Sequence, residues 1–278
     1  MALRIERHLA QLAQAEPAAR RAALEEVLRA EGLAFERQTR EPGERNPRQV
    51  QNYLLLPQEA SPCPLFCAHY DAHPGSPGAN DNAAAVCILI DLAQALRGRG
   101  VPAAFAFLDG EEEKHTGAKL FEEERTQKFS VVVNLDVCGY GDTLTVYTKG
   151  GEKKPAAAPF WDKKRLAAHN GQRVKFLPES DDRCFSTKDQ PVFSVAVMPR
   201  WDIQYLGALA GMGSGLLGRP PEFELILGQM EVTSTMHGAF RDGVRWVQPA
   251  AMEQVYGYLL DAACAPPVEK KPFGFFPS

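Results

Sequence analysis

No uninterrupted apolar run in this chain reaches the ~18 residues that a membrane-spanning helix needs. A basic excess is missing too: 31 Lys and Arg stand against 35 Asp and Glu, for a net charge of -4. Without a clustered basic patch, nucleic acid is not an expected partner. Cysteine is sparse. The six present (Cys63, Cys67, Cys87, Cys138, Cys184 and Cys264) lie mostly inside apolar runs, the pattern of buried free thiols. Cys63 and Cys67 have no second cysteine pair to complete a zinc site with them. The stretch from Met1 to His8 carries charges where a signal peptide has its apolar core, so a reducing cytoplasm is the expected location. No internal repeat or inter-domain linker interrupts the sequence. One domain is therefore expected over 1–264, with N-terminal helices over 1–31 and a Pro/Phe-rich tail over 265–278.

What is present alternates. Residues 2–31 are rich in Ala, Leu, Glu and Arg at helical spacing, with Pro17 in the first turn of a second helix. Strands are expected over 49–57, 65–70, 103–108, 130–137, 144–148 and 193–198. Helices are expected over 83–96, 114–125 and 249–263. The strand runs are apolar throughout, which suits a sheet covered on both faces. The expected class is α/β: a three-layer α/β/α sandwich around a mixed, mostly parallel central sheet. In such folds ligands bind beyond the carboxyl ends of the strands.

Chemistry-bearing residues collect at those ends. His69-Tyr70-Asp71 closes one strand. There His69 offers a metal-binding imidazole, and the Asp71 carboxylate can orient its other ring nitrogen. Asp81, in Gly78-Ala79-Asn80-Asp81-Asn82, precedes a helix. It reads either as an N-cap or as a carboxylate bridging two metals. The apolar strand ending at Leu108 delivers Asp109-Gly110-Glu111-Glu112-Glu113. Adjacent carboxylates there repel one another, and a cation would remove that penalty. Val131-Val132-Val133-Asn134-Leu135-Asp136 repeats the design, and His237 follows late, without a local signature. Five candidate ligands (His69, Asp81, Glu112, Asp136, His237) with Glu111 beside one of them read as a metal-dependent hydrolase.

Together these motifs resemble the zinc aminopeptidase family (leucyl-aminopeptidase-like zinc exopeptidases) that also contains the glutaminyl cyclases. The resemblance runs from about His69 to Asp242. It implies two zinc ions, one held by Asp81, Glu112 and His237, the other by His69, Asp81 and Asp136. It also implies a catalytic base at Glu111 and a peptide or N-terminal amino-acid substrate. Asp181 is the acidic group expected to receive the substrate's amino terminus. Four stretches depart from the family pattern, one of them Asp189-Gln190-Pro191 in place of Gly-Ile-Pro. Glu113-Lys114-His115-Thr116-Gly117-Ala118 stands where the family shows x-Gly-Leu-x-Gly-Ser, and the spacing from His237 to Asp242 is one residue longer. Ser180-Asp181-Asp182 replaces Ser-Asp-His.

A glutaminyl cyclase, which would use one zinc, shares the Glu-Glu pair, but cyclases tend to carry Trp where Met236 stands. An amidohydrolase acting on acylated amino acids and a non-catalytic peptide-binding domain are the other readings. The stretch 200–235 either shapes a side-chain pocket or packs against the body. Its Gly213-Ser214-Gly215-Leu216-Leu217-Gly218 run is not a dinucleotide site, because no apolar strand feeds it.

Overall fold

Apolar runs of five to seven residues become the centre of one sheet. The structure, a computed structural model, describes residues 4–43, 47–57, 62–212 and 219–266. Its strands are β1 (Glu36–Arg40), β2 (Val50–Leu55), β3 (Cys63–His69), β4 (Ala104–Leu108), β5 (Phe129–Leu135), β6 (Thr143–Gly150), β7 (Gly171–Arg173) and β8 (Val192–Met198), in the spatial order β1-β2-β4-β3-β5-β8-β6-β7. The pairs β3–β4, β3–β5, β5–β8 and β6–β7 are parallel. The pairs β1–β2, β2–β4 and β6–β8 are antiparallel, so the sheet is mixed with a parallel centre.

The period of two along each strand sorts side chains between two apolar layers. Phe66, Phe105, Phe107, Val131, Val133 and Val195 face helices α2 (Pro17–Ala30), α3 (Ala84–Gly98) and α8 (Pro249–Ala263). Leu65, Cys67, Ala104, Ala106 and Val132 face the other way, onto Ala118 and Phe121 of α4 (Thr116–Glu124). A third cluster joins Val137, Ala196 and Met198 to α6 (Asp202–Met212) and α7 (Pro221–Leu227). Cys63, Cys67, Cys87 and Cys138 are buried free thiols, as their apolar surroundings predict, while Cys264 is exposed. Among the described residues no helix is long and apolar enough to cross a membrane.

Some elements were not legible. β1 reads Glu-Arg-Gln-Thr-Arg, has no apolar residue and is largely exposed at the sheet edge, where packing asks for none. The three-residue β7, the helix α5 (Lys163–Ala168), α6 and α7 also lack an expected counterpart. Helix α1 is a single turn, Leu9–Leu12. The helix expected from 114 starts at Thr116, because Lys114 and His115 take the left-handed conformation, with φ of 67° and 59°. The glycine run 213–218 and nearly all of the tail, 267–278, lie outside the described residues.

Candidate metal centre

The parallel strands β3, β4 and β5 end side by side, and each end delivers a candidate ligand. His69 closes β3 with 1% of its surface exposed. Its Nε2 lies 3.3 Å from Asp81 Oδ1 and 3.5 Å from Asp136 Oδ1. Its Nδ1 lies 3.3 Å from Asp71 Oδ1, the group expected to orient it, and 3.3 Å from the Asp71 carbonyl oxygen, its hydrogen-bond partner. The Asp71 carboxylate also accepts the backbone N–H groups of Glu111 and Glu112, at 3.0 and 3.2 Å. One side chain thus fixes the imidazole and the turn after β4 together.

Asp81 does not cap α3, which has no side-chain cap. Its Oδ2 instead accepts the His237 N–H at 3.1 Å. Asp242 secures both loops. Its carboxylate accepts Ser76 Oγ–H at 2.6 Å and the N–H groups of Asn80, Asp81 and Gly238 at 3.1 to 3.4 Å. The longer spacing after His237 therefore still brings an Asp to this junction. Left-handed backbone gathers here too. Of the five non-glycine residues with positive φ among the described residues, only Asn170 lies away from the site; Lys114, His115, Val137 and His237 border it.

Ligand atoms fall into two groups, His69/Asp81/Asp136 and Asp81/Glu112/His237, each with its atoms within 4.8 Å of one another. Asp81 belongs to both. This is the division that the family resemblance implied. Three atoms in these groups, His69 Nε2, Glu112 Oε1 and Asp136 Oδ1, are buried without a hydrogen-bond partner. Buried polar atoms rarely stay unpaired, and imidazole with carboxylate is a donor set suited to zinc. The residues fit a metal.

The electrostatics point the same way. Burial, with the like charges of Asp136, Asp181 and Asp81, pushes Glu111 up to about 9. Burial and Asp81 push Glu112 up to about 7. Burial opposes the charged form of His69, but Asp136, Asp71 and Asp81 outweigh it and hold the imidazole well above its ordinary value. Surplus negative charge in a low-dielectric pocket calls for a cation, which would reverse the shift of both glutamates.

Beside the two groups opens a cavity of about 180 Å³. Asp81, Glu111, Asp136 and His237 line it together with Leu177, Ala196, Met198, Leu227, Met230, Val232 and Met236. The stretch 200–235 does contribute pocket wall, through its later residues. Asp181, the group expected to receive the substrate's amino terminus, is not among the residues that line this cavity, although Ser180 beside it is. Its side chain is fully buried, and its Oδ1 lies 3.2 Å from His115 Nδ1. Sequence reasoning left His115 without a role, and it missed Arg20. That buried guanidinium from α2 donates to the Pro77 carbonyl, and burial lowers its pKa to about 10 beside Asp71, Asp242, Asp81 and Glu112. No local motif marks it.

The fold and the paired ligand groups together define a zinc-exopeptidase type of structure. The family profile of peptidase family M28 matches residues 55–223. That is more than half of the chain, and the chain belongs to this family. A search of curated proteins found no match. Among solved structures, a Zn-dependent exopeptidase from Parabacteroides distasonis aligns with a TM-score of 0.65 at 13% identity, over 95% of this chain and 98% of that one. Glutaminyl cyclase from Porphyromonas gingivalis aligns at 0.64 and 16% identity, over 93% and 94%. The LapA aminopeptidase of Legionella pneumophila aligns at 0.64 and 14% identity, over 93% and 70%. At these identities the likeness is one of fold.

Proposed function

We propose that this chain is a zinc-dependent aminopeptidase with Glu111 as its general base. The observation that carries the reading is the pair of ligand groups sharing Asp81, with Glu111 next to a ligand and facing the cavity. His69, Asp81 and Asp136 would hold one ion, and Asp81, Glu112 and His237 the other. Zinc bound there would polarise the scissile carbonyl and stabilise negative charge developing on its oxygen. Glu111 takes the proton of the attacking water and passes it to the leaving amine. The Asp71 carboxylate keeps His69 in its ligating orientation and holds the backbone of Glu111 and Glu112. The apolar cavity wall suits an uncharged side chain on the N-terminal residue.

A glutaminyl cyclase is the second reading, supported by solved cyclases that share this fold over nearly their whole length. The complete second group, His69/Asp81/Asp136, favours the peptidase. Mass spectrometry of defined peptides incubated with zinc-loaded protein tests the choice. Stepwise loss of N-terminal residues is expected. Loss of ammonia from an N-terminal glutamine peptide alone would establish the cyclase instead. No change in any peptide would overturn both and favour acylated amino acids or a binding role.

A further inference from the structure

One imidazole stands between the candidate base and a buried carboxylate. His115 Nδ1 lies 3.3 Å from Glu111 Oε1 and 3.2 Å from Asp181 Oδ1. The side chains of all three are largely or wholly buried, at 13%, 12% and 0% exposure. For the Asp181 carboxylate, His115 is the one hydrogen-bond partner among the described residues, and Asp181 Oδ2 has none. The one ion-pairing partner of the Glu111 carboxylate among those residues is the same nitrogen.

Local backbone puts it there. Lys114 and His115 are both left-handed, so the chain doubles back between the Glu111-Glu112 turn and α4. The His115 N–H donates to the Glu111 carbonyl at 3.0 Å, and the Lys119 N–H donates to the His115 carbonyl at 3.0 Å. The imidazole is thereby returned over the side chain of the residue four positions before it. A leucine here, the residue that stands at this place in the family pattern, offers no donor to either carboxylate.

Two carboxylates facing one another in a buried site repel, and each gains from a shared donor. A neutral imidazole has one N–H. Placed at Nδ1, that hydrogen is donated to Asp181 Oδ1, and Glu111 Oε1 stands 3.3 Å from the same nitrogen. The ring, held by that bond, packs against one oxygen of Glu111, while Glu111 also lines the cavity. A base held in one orientation is worth a large factor in rate, because misplacement of about 1 Å costs on the order of 10²-fold.

We propose that His115 is a positioning residue for Glu111: its imidazole, anchored by hydrogen bond on buried Asp181 and 3.3 Å from Glu111 Oε1, sets the direction of the carboxylate that works on the substrate. The proposal rests on Glu111 being the base. Its test is chosen so that the two can fail separately.

Crystal structures of the zinc-loaded full chain, unmodified and as His115→Leu, read the orientation of Glu111 without reference to turnover. The carboxylate is expected to leave its place beside residue 115 in the variant; an unmoved Glu111 overturns the proposal. Kinetics on a cleaved peptide supply the second readout. His115→Leu should lose about 10²-fold in kcat, with KM and zinc content within about twofold. His115→Asn should recover most of that loss, because Asn tolerates the left-handed backbone and places an amide N–H where Nδ1 stood. Equal loss in Leu and Asn variants, or a fall in zinc content parallel to the fall in kcat, would make His115 merely structural and overturn the role. Full turnover in Glu111→Gln would sink the base assignment instead, and the crystal structures would still decide the contact.

Discussion

His237 donates its backbone N–H to the carboxylate of Asp81 at 3.1 Å across a sequence separation of 156 residues. That bond brings a late loop onto the entrance of an early helix, and the residue shared by both candidate ligand groups lies at its acceptor end. Asp242 doubles the attachment through the N–H groups of Asp81 and Gly238. The site is therefore assembled by closure of two loops over the ends of a rigid sheet.

Glu111 and Glu112 are neighbours in sequence with different proposed duties, so their variants should separate. Glu111→Gln is expected to keep its zinc and lose on the order of 10²- to 10⁴-fold in turnover, the usual contribution of a general base. Glu112→Ala should lose metal as well, since it deletes a member of the Asp81/Glu112/His237 group. Zinc-to-protein ratios beside kcat for both variants check this. A metal-replete Glu111→Gln with unchanged kcat would sink the assignment.

Asp71 acts through others. Its carboxylate contacts His69 Nδ1 and accepts two backbone N–H groups from the Glu111-Glu112 turn. Asp71→Ala should weaken zinc binding 10- to 100-fold, the usual cost of losing a contact that orients a ligand. Competition with a chelator measures it, and an unchanged affinity would remove Asp71 from the site.

Metal removal should make stability depend on pH in a definite direction. Glu112 and Glu111 rise from an ordinary 4.5 to about 7 and about 9 when no cation faces them. The folded chain then holds protons that the unfolded chain releases. The favourable contribution is complete below about pH 4.5 and is lost as pH rises through the folded values. The melting temperature of chelated protein should fall between about pH 5 and 9, and zinc should flatten the curve. A chelated protein whose Tm rises over that range would contradict the surplus of negative charge.

Gly117 is a packing requirement. A Cβ there would stand 2.2 Å from the Asp109 carbonyl oxygen and 2.4 Å from Asn52 Oδ1. Gly117→Ala should cost about 1–3 kcal/mol by overpacking. Urea denaturation gives the number. A midpoint equal to that of the unmodified chain would mean that α4 can move away from β4 without penalty.

Much of this was legible in the chain. The apolar runs 103–108 and 130–137 announce buried strands, and a carboxylate at the end of each is locally anomalous, so Glu111, Glu112 and Asp136 declare themselves. His69 and Asp71 follow from the same logic at the end of β3. The backbone absorbs two of the departures from the family pattern. Lys114 occupies a family glycine position yet keeps the left-handed backbone, with φ of 67°. The additional residue before Asp242 is absorbed by the loop, whose Asp still reaches Asn80 and Asp81.

The sequence by itself determined six of the sheet's eight strands, the residue types at their ends and the surplus of acid that asks for a cation, because hydrophobic period and adjacent charge are local properties of a chain. Tertiary structure decided the rest. It placed Asp81 in both ligand groups, buried Asp181 and set His115 between Asp181 and Glu111. It also brought Arg20 beneath the acidic cluster. These placements depend on left-handed turns and on loops meeting across more than a hundred residues. No spacing of apolar residues encodes them, since they follow from backbone conformation and burial rather than from pattern.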